Sequence, residues 1–326
     1  MRTIDIHAHF YPKPYLELIG ERGVRFGASY KMTDKGFHFD TPSGSGGPLP
    51  IKFIDPAPRL AEMDEQGISI QALSLSQPMV YWADGETSHL LARAWNDGAS
   101  EMHRQYPDRF VAFMTLPMLD PDRAVDEIER ASRMPGMRGV YMGTNINGRD
   151  LSDPLFEPIF AHIEKRRLPI FLHPLQPVGD SRLNRFLMHN SIGYPVDTAI
   201  AACHLIFGGV LDRHPDLEIN LPHAGGVLPI LLGRLDHSHR VADAARHIPR
   251  PPSEYLRRFT YDTITHSKPI MEFVISQVGI DRIMLGSDYC FAIGCKRPLD
   301  MVEELGLSNA EQSMVVGGTA SRLLRI

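Results

Sequence analysis

Eight short apolar runs, spread along the whole chain and separated by longer amphipathic stretches, constrain the fold more than any other feature. They occupy residues 3–9, 68–74, 110–116, 137–143, 168–173, 217–223, 259–265 and 282–288. Each is too short for a free-standing helix, and most are rich in Val, Ile, Phe or Thr, which suit a pleated, buried surface. Helix-like segments lie between them. Residues 57–66 carry Leu60 and Met63 at helical spacing and stop at Gly67, and residues 88–106 stop before Pro107. Asp120-Pro121 and Asp153-Pro154 each read as an N-cap followed by Pro in the first turn, opening helices at 121–133 and 155–167. Segments 196–213, 226–245, 268–278 and 309–324 complete the set, with a short helix at 297–305.

Strands alternating with helices imply parallel βαβ units, and eight is the number that closes a TIM barrel. Spacing alone does not separate a barrel from an open doubly wound sheet. The first strand–helix turn has no GxGxxG run, which argues against a dinucleotide-binding sheet. The 326 residues are accommodated by a single α/β domain, 1–326: a distorted (β/α)8 TIM barrel with a small insertion after strand 1. That insertion is residues 10–56, where no helix is legible and Gly, Pro, Ser and aromatic residues crowd, including TPSGSGGPLP at 41–50. A long connection inside a compact domain is usually functional. Placed after strand 1, it would sit on the rim as an insertion or lid.

Composition narrows the function. The net charge is −5 and no basic run of five or more occurs, which argues against nucleic acid and anionic membrane as partners. Three cysteines make neither a disulfide framework nor a Cys-rich zinc module, so a cytoplasmic setting is expected. The N-terminus MRTIDIHAHF has no apolar signal core, and no stretch approaches membrane-spanning length. Fifteen histidines mean that any metal would be held by nitrogen and oxygen.

In the first run, Ile4, Ile6 and Ala8 share one face, and Asp5, His7 and His9 share the other. In a barrel covered by helices, the apolar face goes outward and the histidines inward. Two imidazoles at i and i+2 can converge on one ion. Three other runs end alike: Phe171-Leu172-His173, Leu221-Pro222-His223 and Ser287-Asp288. A lone histidine after a strand is ordinarily a loop residue. A barrel, however, gathers all its C-terminal strand ends around one mouth, and His/Asp sets without Cys suit Zn, Fe, Mn or Co.

These residues, with IDIHAHFYP, EMDEQGI, FLHP, PHAGGVLPILLGRLD, RPPSEYLRRF and MLGSDY, resemble the amidohydrolase superfamily. The likeness is to its branch containing 2-amino-3-carboxymuconate 6-semialdehyde decarboxylase and related metal-dependent decarboxylases. It runs from about residue 3 to the C-terminus. The resemblance implies metal ligands at His7, His9, His173 and Asp288, with His223 exchanging protons beside the metal. Asp288 could also deliver a proton to carbon. Binuclear members carry a carbamylated lysine after strand 4; here no Lys occurs between 138 and 164. One divalent ion is therefore expected, with zinc the first choice, since three His and one Asp leave room for water or substrate.

The resemblance also implies that Arg234, in Leu231-Leu232-Gly233-Arg234, reaches a neighbouring subunit's site and grips a substrate carboxylate, so a homodimer is expected. The branch's other carboxylate-binding arginine falls at Gly47 here, with Lys52, Arg182 and Arg185 as possible replacements. The expected activity is nonoxidative decarboxylation of a small aromatic or muconate-type carboxylic acid. A metal-dependent hydrolase or hydratase would use the same residues, and a non-catalytic metal-binding protein is the rival of another class.

Overall fold

The computed structural model describes residues 2–326. Each of the eight runs contributes one strand: β1 Ile4–His9, β2 Ile70–Ser74, β3 Phe110–Met114, β4 Met137–Gly143, β5 Ile170–His173, β6 Ile219–Leu221, β7 Phe259–Asp262 and β8 Ile283–Met284. They form one sheet in chain order with parallel neighbours. The sheet closes on itself: Ile6 N donates to Leu285 O at 3.0 Å and Tyr289 N to His7 O at 3.2 Å. The fold is therefore a (β/α)8 barrel. All six residues of β1 are buried, as in a strand covered by helices outside and side chains inside. Ile4 faces the C-terminal helical layer near Gly317, whereas Asp5 and His7 bond across the interior. Phe113 and Phe171 stack with ring centroids 3.8 Å apart.

The helices fall between the strands as the punctuation predicts. Asp120 Oδ1 accepts from Arg123 N at 3.2 Å, opening the helix Pro121–Ala131, and Asp153 Oδ1 accepts from Leu155 N at 2.9 Å. Two long helical segments are less regular than their patterns imply. The 196–213 segment is interrupted at Gly208-Gly209, between the helices Tyr194–Phe207 and Val210–Arg213. The 309–324 segment widens into a π turn at Met314–Gly318.

Residues 10–56 correct the sequence reading. They contain a helix, Lys13–Arg22, and a three-stranded antiparallel sheet of Ser29–Thr33, Gly36–Thr41 and Gly44–Leu49. Pro12 and Pro14 obscure the helix in the sequence, yet proline suits a first turn, and Tyr15, Leu16 and Ile19 bury its inner face. The SGSGG run looks like a flexible loop but is a strand pressed against its neighbour. A Cβ on Gly46 would lie 2.5 Å from the Phe39 ring, and one on Gly47 would lie 2.6 Å from Phe37 O. Glycine here marks close approach of the backbone.

Candidate metal centre

The barrel brings the strand-end residues to one place. His7 and His9 come from β1, His173 ends β5, His223 follows β6, and Asp288 follows β8. One potential ligand atom from each of His7, His173, His223 and Asp288 lies within 4.8 Å of all the others. His9 stands outside this four-residue set, with its Nε2 3.0 Å from Asp288 Oδ1. Its ring centroid lies 5.1 Å from that of His7 and 4.9 Å from that of His173. Four of the five side chains are buried, and His223 is the most open at 16% exposure.

The outer partners of these imidazoles decide which nitrogen is free. His7 Nδ1 donates to Asp262 Oδ2 at 2.8 Å. His173 Nδ1 donates to Pro174 O at 3.1 Å. Ser74 Oγ gives its proton to Ala8 O, which leaves it to accept from His9 Nδ1 at 3.1 Å. His7 and His173 are thus held with Nδ1 protonated and the Nε2 lone pair free, while His9 Nε2 lies against Asp288 Oδ1. His7 Nε2 is buried and makes no hydrogen bond. A carboxylate or carbonyl behind each imidazole is the outer-shell arrangement that orients metal-binding histidines. Buried imidazole lone pairs converging beside a carboxylate fit a divalent ion.

The electrostatics agree for His9 and His173. Burial lowers His9 to about 4 and holds His173 well below the usual histidine range, so both are neutral donors of electron pairs. For His7 burial is outweighed by Asp262 and Asp288, which raise it. Burial would raise Asp288, but His223, His9 and His7 hold it well below the carboxylate range, as an anion. Beneath the cluster, burial pushes Asp5 up to about 6, opposed by donors from Ser287, His7 N and Gln71. Gln71 links Asp5 to Arg59, a fully buried arginine that also donates to His9 O. The backbone of the His-x-His strand is thus anchored from below.

Local strain aims the two remaining side chains. His223, Ala224 and Asp288 have φ of 53°, 53° and 59°, values that non-glycine residues rarely adopt. Such strain gathers where a fixed geometry is functional. The two glycines after Ala224 make the turn possible: a Cβ on Gly226 would lie 2.1 Å from Pro195 O. His223 Nε2 stands 3.9 Å from Asp288 Oδ2, and its buried Nδ1 has no hydrogen-bond partner.

Other expected residues lie elsewhere. Arg234 is exposed on the helix Leu228–Val241 and makes no side-chain hydrogen bond or ion pair among the described residues. Gly47 has no room for a side chain. Lys52 pairs with Glu62 Oε1 at 2.9 Å on the wall of a cleft of about 860 Å³ that adjoins Asp288, while Arg182 and Arg185 are exposed. Sequence reasoning missed Asp262, Ser74, Gln71 and Arg59. Asp262 and Ser74 also close or nearly close apolar runs, so the rule that found His173 could have found them. Arg59 carries no such signal.

The amidohydrolase family model matches residues 4–326. The 2-amino-3-carboxymuconate-6-semialdehyde decarboxylase of Dictyostelium discoideum is 30% identical, over 98% of this chain and 91% of the relative. The crystal structure of 5-carboxyvanillate decarboxylase from Sphingomonas paucimobilis superposes with a TM-score of 0.85 at 29% identity, covering 100% of this chain and 99% of that one. A dihydroxybenzoic acid decarboxylase from Polaromonas sp. JS666, solved with bound manganese and the inhibitor 2-nitroresorcinol, superposes with a TM-score of 0.81 at 26% identity, covering 99% and 97%.

Proposed function

The chain belongs to the amidohydrolase family, and we propose that within it the protein is a metal-dependent, nonoxidative decarboxylase of a small aromatic or muconate-type carboxylic acid. One observation carries the reading. The converging, lone-pair-bearing imidazoles and Asp288 occur in a chain that matches decarboxylases almost end to end. His7, His9, His173 and Asp288 would hold one divalent ion. Zinc is the proposed ion on the nitrogen-rich donor set, with manganese, present in the Polaromonas structure, as the competitor. When bound, the ion supplies Lewis acidity toward the oxygens of the acid.

The chain's own residues then handle the proton. His223 has a strained backbone, a partly open ring and an unpartnered Nδ1, which suit a group that exchanges protons. As the bond between the conjugated carbon and its carboxylate breaks, the electron pair stays with the conjugated system, and a proton takes the carboxylate's place on the carbon left behind as CO2 leaves. His223 or Asp288 would hold that proton. The sheet at 29–49 would wall the mouth as part of a lid, with Gln176 Nε2 bridging to Ser43 O at 3.2 Å.

Arg234 is assigned to the partner's site in a homodimer. The helix that carries it also exposes Ile230 and Val241, and the 178–192 segment exposes Phe186 and Leu187. Exposed apolar residues on the helix of an unpaired arginine suit a two-fold contact. No helix is long and apolar enough to cross a membrane among the described residues, and all three cysteines are free, which fits a reducing, cytoplasmic setting. The test is a screen of hydroxylated benzoates and muconate-type acids for CO2 release by the metal-loaded protein. CO2 formed without consumption of water is the expected result. Hydrolysis or hydration products without CO2 would replace this reading.

A further inference from the structure

Asp197 lies in the first turn of the helix Tyr194–Phe207 and is 4% exposed. Among the described residues it makes no ion pair, so this carboxylate is buried with neutral donors alone. Burial raises it, against hydrogen bonds from Thr144, Asn145 and the backbone of Leu175. Taking a carboxylate out of water is costly, and a helix's first turn offsets only part of that cost. The two side chains that bond it follow β4 directly. Thr144 Oγ1 and Asn145 Nδ2 both donate to Asp197 Oδ2, the second at 3.2 Å. Both also reach the residues that end β5. Asn145 Nδ2 donates to Leu175 O at 2.6 Å, and Leu175 N donates to Thr144 Oγ1 at 3.3 Å. Thr144 N donates to His173 O at 2.9 Å.

The peptide between Pro174 and Leu175 turns this clamp on the metal centre. A trans peptide is a rigid plane whose N–H and C=O point opposite ways. Leu175 N–H is drawn toward Thr144 Oγ1 and Asp197, so Pro174 O faces away from them, and it accepts from His173 Nδ1 at 3.1 Å. On either side of that carbonyl, His173 O and Leu175 O are fixed by Thr144 N and Asn145 Nδ2. The carbonyl in turn keeps the imidazole proton on Nδ1 and leaves Nε2 for an ion. We propose that Asp197 is a positioning residue for the metal centre: by holding Thr144 and Asn145 it aims Pro174 O at His173, and so fixes the tautomer and orientation of that imidazole. Asp262 orients His7 by direct contact. Asp197 does the same work for His173 through two side chains and one peptide.

This rests on the metal-dependent reading above, with His173 a ligand, so the test reads the ion and not CO2 release. The probe is zinc, its affinity measured by chelator competition. The visible spectrum of the cobalt-substituted protein is the second readout. Thr144→Val keeps the side-chain shape and removes the hydroxyl, and Asp197→Ala removes the carboxylate. Each should weaken zinc binding by about 10- to 100-fold, the range for losing an outer partner of a ligand, and should shift the cobalt spectrum. Thr144→Ser keeps the hydroxyl and should bind zinc as the wild type does. Asp120→Ala, destabilised far from the cluster, should do so too. Wild-type zinc affinity and an unchanged cobalt spectrum in Thr144→Val, with only a lower melting temperature, would make the clamp merely structural and overturn the role. Equal losses in Thr144→Ser and Thr144→Val would overturn it as well. Should Asp197→Ala fail to fold, Thr144→Val decides. A wild type that binds no divalent ion would sink the metal-dependent reading together with the role. Variants that keep their zinc beside a wild type that releases CO2 would sink the role alone.

Discussion

The mouth of the barrel and the outer face of the helix Leu228–Val241 hold the side chains proposed to act under opposite conditions. At the mouth, every imidazole of His7, His9 and His173 is held from behind by a partner in the same chain. On the helix, Arg234 stands in solvent with no side-chain partner among the described residues, beside an exposed Ile230. A side chain positioned by its own fold can be assigned from that fold. One whose partner lies on another molecule has a position but no visible purpose. The difference teaches where each assignment can fail: the mouth if it holds no ion, the helix if no second subunit faces it.

The largest effect should come from emptying the mouth. Elemental analysis should find about one divalent ion per chain. Chelation, or Asp288→Ala, should abolish CO2 release and lower the melting temperature. An ion at roughly 100 times its dissociation constant contributes about 2.7 kcal/mol to folding. Two ions per chain, or full activity after chelation, would break the account of this region.

The next test sharpens the division of labour inside the mouth. His223→Ala should keep the ion and lower CO2 release by about 10²–10⁴-fold, the range for a general acid–base group. The geometry makes this a real contest, because His223, not His9, belongs to the set whose ligand atoms lie within 4.8 Å of one another. Loss of the ion in His223→Ala, and its retention in His9→Ala, would exchange the two roles.

The outer face comes third. Arg234→Ala should leave the ion and the fold unchanged and still cost about 2–5 kcal/mol of transition-state binding, the range for a desolvated charge contact. Mixing Arg234→Ala with His223→Ala subunits should restore activity, because each mixed dimer has one site free of both lesions. A monomer in solution, or no recovery after subunit exchange, would collapse the comparison.

Legibility in the sequence follows the same division. The eight strands and the His and Asp at their ends were readable because barrel geometry forces alternation and a common mouth. Asp120 and Asp153 were readable as caps because the cap is local. The 10–56 segment was not, because Gly46 and Gly47 serve a backbone contact with Phe39 and Phe37 that no local pattern announces. Arg59 and Gln71 were missed for a related reason. Their work is to join Asp5 to His9 O across distant segments, and a buried arginine has the same letter as a surface one.

The smallest effect belongs to a residue in neither region, and it serves as the control for both. Asp120 caps the helix Pro121–Ala131 through Arg123 N and touches no residue of the cluster. Asp120→Ala should cost about 1 kcal/mol of stability, as loss of a good N-cap does. CO2 release per folded molecule should stay unchanged, as should metal content and dimer mass. A denaturant titration read beside the activity assay separates the two quantities. If activity falls while the ion is retained, then cap, mouth and outer face are not independent, and the losses assigned to His223 and Arg234 would have to be read as changes in the barrel itself.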